Sequence, residues 1–199
     1  MSGNTSATGG YLQRTNAPVT QAQLEDAVQS LIQGVTGIPP DLIRPRWQPE
    51  PPNQPPAGTD WAAFGIIERE TTGFPYISHA NGGSSTLYRW PILSLMVSVY
   101  GPNAEDNAED LRDACYIAQN FEQLNLLGIR LIEAGSVTMV PDLINVQYIN
   151  RADMRIRLAT EQTRTYAIKD IVSADGTITA DTGVSGQWLA TDPNPSPGG

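Results

Sequence analysis

Eight prolines fall between Ile38 and Gly58: Pro39, Pro40, Pro45, Pro49, Pro51, Pro52, Pro55 and Pro56. Each fixes its own φ and withholds an amide donor, so neither a helix nor a central strand survives that density. Residues 38–58 are therefore expected to form an extended, polyproline-like arm. Such a stretch is stiff and loses little entropy on docking. Trp47, flanked by Arg44 and Arg46, gives it one large anchor. The competing reading is a long loop folded back on its own domain.

The rest of the chain alternates between two periodicities. Thr20 and Gln23 form a capping box, and Leu24, Ala27, Val28, Leu31 and Ile32 follow at helical spacing, with Gly34 and Gly37 as stops. Trp61–Arg69 reads as a strand, Phe74–Ser78 as a second, and Asn81-Gly82-Gly83 as a turn. Leu87–Tyr100 is the clearest strand. Leu93, Leu95, Val97 and Val99 share one face, while Ser94, Ser98 and Tyr100 share the other with Ile92 and Met96. Pro91 places the front of that strand at a sheet edge or bulge. Gly101-Pro102-Asn103 ends it and caps a helix expected over about 104–127, with an acidic first turn that suits the helix dipole.

Short strands are expected at Ile129–Glu133 and Val137–Val140, with Ala134-Gly135 as a tight turn between them. Tyr148–Leu158 and Arg164–Val172 read as paired strands. Asp175-Gly176 is a two-residue hairpin signal between Ile171-Val172 and Thr177-Ile178. The sum is an α+β fold: a mostly antiparallel sheet, two amphipathic helices packed on one side, and extended N-terminal, proline-rich and C-terminal arms. Residues 1–18 form a flexible arm, 19–173 the domain that includes the proline stretch, and 174–199 a hairpin and extended tail. One domain agrees with 199 residues, since domains run to roughly 100–200 residues.

Charge narrows the function. Charged residues make up 17% of the chain, against about 25% in typical domains, which fits a surface partly covered by partners. The net charge of −9 opposes nucleic-acid binding, which needs Lys and Arg on phosphates. Lys169 is the only lysine; the remaining basic residues are arginines, which favour planar pairing with carboxylates at interfaces. No basic start, leader-like apolar stretch or membrane-length apolar run is present, so a cytoplasmic site of synthesis is expected.

The residue types of catalysis are sparse. His79 is the sole histidine, beside a Gly/Ser turn, and reads as a polar loop residue. Cys115 is the sole cysteine, lies on an apolar helical stripe and reads as a small core hydrophobe. Its solitude excludes an intrachain disulfide and cysteine-rich zinc clusters. The carboxylates Glu105, Asp106, Glu109, Asp110 and Asp113 read as a solvated helix start. No phosphate loop, dinucleotide fingerprint, calcium loop or zinc pattern appears, and no catalytic, metal or cofactor-binding residue is assigned. Arg151, Arg155 and Arg157 share a strand face with Asp153 and are expected in salt bridges, within the sheet or across a subunit boundary.

Four blocks carry a family resemblance. They are Gly37-Ile38-Pro39 running into Leu42-Ile43-Arg44-Pro45-Arg46-Trp47-Gln48-Pro49; Gly58-Thr59-Asp60-Trp61-Ala62-Ala63-Phe64-Gly65-Ile66; Ser98-Val99-Tyr100-Gly101-Pro102 leading to Leu111-Arg112-Asp113; and Pro141-Asp142-Leu143-Ile144-Asn145 with Arg151-Ala152-Asp153. Over about residues 20–172 the chain resembles the phage neck terminator family, a group also linked to tail-terminator and tail-completion proteins. The resemblance implies a non-enzymatic virion subunit at the head–tail junction, assembled in the host cytoplasm. It implies a ring, usually six-fold, that caps the tail tube and joins it to neck or connector proteins. DNA would then be met only in transit through an acidic channel. The interface residues this reading selects are Arg44, Arg46, Trp47, Trp61, Arg151, Asp153, Arg155 and Arg157. Two other classes stay open on the residues alone. One is a virion-associated, adhesin-like binding module using Trp47, Trp61, Trp90 and Trp188, although Trp61 and Trp90 read first as core. The other is a hydrolase built on His79 or paired carboxylates.

Overall fold

The computed structural model describes residues 4–5, 7–50, 52–56, 58–71, 73–80, 83–144, 147–168, 173–179, 183 and 185–191. The chain divides into two compact units, the larger built from Val19–Phe74 and Arg89–Gln162. Its first element, α1 (Gln21–Thr36), opens at the expected capping box: Thr20 accepts from the Gln23 amide while the Gln23 side chain accepts from the Thr20 amide. It runs through Gly34 and stops at Gly37, which takes the left-handed conformation. Leu24, Val28, Leu31 and Ile32 form its buried stripe.

The proline stretch departs from expectation in its first half. Pro40–Leu42 make one 3-10 turn, and β1 (Ile43–Pro45) pairs in parallel with β2 (Trp61–Glu70). Pro45 is tolerated because β1 is an outermost strand and needs few donors. Ile43 is 1% exposed, and the Gln29 side chain donates to the Pro40 and Ile43 carbonyls, so this segment belongs to its own domain.

β2 pairs antiparallel with β5 (Ile92–Tyr100), β5 with β9 (Arg151–Thr160), and β9 with β6 (Ile129–Met139), giving the order β1-β2-β5-β9-β6. Ala62 and Phe64 on β2, the four alternating aliphatics of β5, and Ala152, Met154, Ile156 and Leu158 on β9 face one core with α1 and α2 (Ala104–Ala114). Burial of each large aliphatic side chain stabilises the fold by about 1.5–3 kcal/mol. β7 (Asp142–Ile144) and β8 (Gln147–Ile149) form a separate small hairpin.

Four sequence expectations are corrected here. Leu87–Tyr100 is two strands, because Trp90 and Pro91 interrupt the ladder and the Pro91 carbonyl instead accepts from the Thr160 amide at 3.0 Å. The helix expected over 104–127 ends at Ala114, and the chain continues through an extended Ile117, a 3-10 turn (Ala118–Phe121) and the short α3 (Glu122–Leu126). The break lets the Tyr116 hydroxyl bond both the amide and the carbonyl of Ala134 at 3.2 and 3.3 Å. Ala134-Gly135 is no turn: β6 runs through it as one strand with register shifts at Leu131/Glu133 and Ala134/Val137. Tyr148–Leu158 does not pair with the segment after Arg164, since β9 takes β5 and β6 as its neighbours.

The smaller unit comprises residues 1–18, 75–88 and 163–199. Its strands β3 (Tyr76–Ala80), β4 (Ser84–Arg89) and β10 (Gln162–Tyr166) have the order β10-β4-β3. Arg14 bridges to Tyr166, and the Asn16 side chain donates to Thr163 O while accepting from the Thr165 amide. β11 (Ser173–Thr179) pairs with β12 (Ser185–Thr191), so Asp175 and Gly176 lie inside a strand, opposite Leu189 and Trp188, and not at the hairpin turn. Residues 81–82, part of the expected Gly/Ser turn, and the tail from 192 lie outside the described residues.

Candidate functional site

The outer face of the five-stranded sheet carries two neighbouring cross-strand rows, and the sequence determines both through alternation. In the first, Trp61 on β2 lies opposite Tyr100 on β5, which lies opposite Arg151 on β9. The Trp61 and Tyr100 rings stack at 3.9 Å and 4°, and the Arg151 guanidinium carbon sits 5.6 Å from the Tyr100 ring centroid. In the second, Ala63 lies opposite Ser98, and Ser98 opposite Asp153.

Arg46 joins the rows. Its amide donates to Phe64 O at 2.7 Å, carrying the path of β1 one residue beyond Pro45. Its Nη2 donates to the Ser98 hydroxyl. Ser98 in turn donates to Asp153. Arg151 grips the same carboxylate with two parallel bonds of 2.8 Å each, and reaches Asp142 at 3.4 Å. The hydrogen bond to Asp153 raises the Arg151 pKa against the opposing effect of burial, so the guanidinium stays charged. Arg46 Nε is buried and has no hydrogen-bond partner among the described residues.

Trp47 is the one described non-glycine residue at positive φ, +60°. A bulky side chain there costs roughly 1–2 kcal/mol. Yet Trp47 is 70% exposed, so core packing does not repay that strain. Its ring lies over Gly65, where an added Cβ would come within 2.7 Å of Cζ3. Around it Arg44, Pro45, Arg46, Gln48, Pro52, Gln54, Trp61, Ala63 and Tyr100 enclose an open cleft of about 460 Å³. Arg44 closes the proline loop by donating to the carbonyls of Asp41 and Asn53 at 3.2 and 2.8 Å. Among the described residues neither Arg44 nor Arg46 forms an ion pair with a carboxylate.

Of the eight sequence-selected residues, Arg44, Arg46, Trp47 and Trp61 line this cleft, and Arg151 and Asp153 support its floor. The other two lie apart. Arg157 meets Glu70 at 3.6 Å, and Arg155 is exposed with no ion pair among the described residues. Sequence reasoning missed Tyr100 and Ser98 as site residues, although their shared semi-polar face was the available signal. Trp90, expected in the core, is 51% exposed.

The remaining chemistry-bearing residues sit elsewhere. His79 Nδ1 and Ser85 Oγ, 2.9 Å apart, form a cross-strand pair between β3 and β4. Cys115 is 3% exposed, and burial pushes its thiol up to about 12. We expect its reaction with an aromatic disulfide reagent at pH 8 to run at least about a hundredfold slower in the folded chain than in urea, as followed by thiolate release. The same shift makes folding less favourable as pH rises from the unfolded thiol's value of 9.0 towards 12, because only the unfolded chain then ionises. Among the described residues no group of three or more His, Cys, Asp or Glu is placed to hold a metal ion, and no helix is long and apolar enough to cross a membrane.

A family model described as Phage neck terminator protein matches residues 22–182, which include every cleft residue. The chain belongs to the phage neck terminator family. Its role is thus that of a structural phage protein of the neck, working in association with other tail or neck proteins. No curated protein matches this neck terminator chain.

Proposed function

We propose that the chain forms a closed homo-oligomeric ring, a hexamer, at the head–tail junction, where it caps the tail tube, joins it to neck and connector proteins and leaves a channel for DNA. The observation that carries this reading is the family match over residues 22–182. Several features support it. In the larger unit Trp47, Leu126 and Tyr148 are 70%, 80% and 79% exposed, apolar surface of the kind that subunit contacts cover. The net charge of −9 suits a channel wall that repels phosphates and lets DNA slide. Arg155, exposed and without an ion pair among the described residues, is a contact for a neighbouring carboxylate. The protein acts by assembly and not by catalysis.

The test is native mass spectrometry and negative-stain imaging, alone and with tail-tube protein. Rings are expected, and persistent monomers beside tail-tube protein would overturn the reading. In the same assay Trp47→Ala is expected to weaken assembly by about 2 kcal/mol or more, roughly thirtyfold, as exposed tryptophan anchors do. Its effect on urea unfolding of the single chain should stay below about 1 kcal/mol. A second reading, a virion-associated binding module, draws support from the aromatic walls of the cleft, and glycan-array binding lost on Trp47→Ala would favour it.

A further inference from the structure

Residues 38–58 read either as an extended arm or as a loop folded on their own domain; in their described part, Arg44, Arg46 and Trp47 line a cleft beside Trp61 and Tyr100. A segment that forms a receptor needs a ligand. The cleft has aromatic walls in Trp47, Trp61 and Tyr100 and carries two guanidinium groups without a carboxylate ion pair, in a chain of net charge −9. Aromatic-walled grooves take extended, proline-rich segments, because those segments are already stiff. Arginines add selectivity for a carboxylate.

The C-terminal stretch of this chain, outside the cleft, has both properties. β12 ends at Thr191 and is followed by Asp192-Pro193-Asn194-Pro195-Ser196-Pro197. Each of Asp192, Asn194 and Ser196 precedes a proline, which biases it to extended backbone. The stretch supplies one carboxylate and no positive charge. We propose that the aromatic–arginine cleft is the docking site for residues 192–197 of a second copy of this chain. Asp192 faces the Arg44 and Arg46 guanidinium groups, and the prolines lie against the Trp47 and Trp61 rings. The proposal rests on the self-assembly reading above.

The test uses two full-length populations, one carrying Asn194→Cys and the other Gln48→Cys, mixed and mildly oxidised. Gln48 lines the cleft, and the buried Cys115 is a poor competitor for oxidation. A disulfide between positions 48 and 194 of different chains is expected. Its yield should exceed by about tenfold that obtained when the partner population carries Glu109→Cys on α2, because docking raises the local concentration of the two thiols. Adding Asp192→Asn and Pro193→Gly to the tail population should return the yield to that control level.

A 48–194 yield equal to the control overturns the proposal. So does a link that forms within single chains of the doubly substituted protein and never between populations. The two readings fail separately. Rings in negative stain with only control-level linkage leave the ring standing and remove this cleft assignment. Selective linkage in species that never exceed pairs does the reverse.

Discussion

Gly101→Ala is expected to destabilise the larger unit by about 3–5 kcal/mol, lowering its midpoint by roughly 10 °C. Gly101 has φ +114°, which L side chains rarely adopt, and the corner around it is full. A Cβ at this position would meet Asp60 Oδ1 at 2.4 Å, Thr59 O at 2.7 Å and Asp60 Cα at 2.8 Å. Two of those atoms are backbone and cannot rotate away. The crowding has a purpose: Asp60 Oδ1 accepts from the Asn103 amide at 3.0 Å, and Asp60 Oδ2 from the Asn103 side chain at 2.8 Å, at the start of α2. Asn103 makes no side-chain cap of its own, and the carboxylate from before β2 instead holds the residue that opens α2 in place. Urea unfolding of wild type, Gly101→Ala and Gly101→Ala/Asp60→Ala would check this. The double variant should recover only a small part of the loss, because the Thr59 and Asp60 backbone remain in the way. Recovery of most of it would show that the carboxylate alone causes the crowding.

Asp153→Ala carries the second large effect, a loss of about 2–4 kcal/mol. The substitution removes the acceptor for Ser98, which has no solvent access, and for both bonds of the Arg151 grip. Arg151 would keep only the 3.4 Å contact to Asp142 and its place over the Tyr100 ring. Asp153→Asn keeps an oxygen acceptor and should lose about half as much. Glu109→Ala, which breaks an exposed, solvent-screened pair with Arg112, should leave the midpoint almost unchanged. Denaturant midpoints at constant slope would give the order Asp153→Ala, Asp153→Asn, Glu109→Ala. Equal midpoints for the first and last would mean that the network stabilises nothing.

What could be read in the sequence was what local periodicity determines. Alternation at Leu93, Leu95, Val97 and Val99 marked the core face because a strand offers one register to such a pattern. The Thr20/Gln23 pair marked the start of α1 because both of its bonds are local. The cleft was only half legible. Arg44, Arg46 and Trp47 stood out as neighbours in sequence, but Trp61, Tyr100 and Arg151 meet through strand pairing over separations of about 40 and 50 residues, which composition does not reveal. The apolar spacing from Leu111 to Phe121 concealed a break after Ala114, beyond which the Tyr116 hydroxyl bonds the amide and carbonyl of Ala134, a contact that local spacing does not announce. Asp175-Gly176 misled for the same reason: a strong local turn signal yielded to a ladder that runs past it.

The five-stranded sheet finishes differently on its two sides, and both finishes have one effect. On one side β1 offers three residues, the last a proline. On the other, β6 is kinked twice, and a tyrosine hydroxyl already occupies the Ala134 amide and carbonyl. A foreign strand finds no straight row of free amides and carbonyls at either margin, so open-ended, fibre-like growth by strand addition is disfavoured. Whatever meets this sheet is left to do so through side chains on its faces and clefts, contacts that can be counted and can stop.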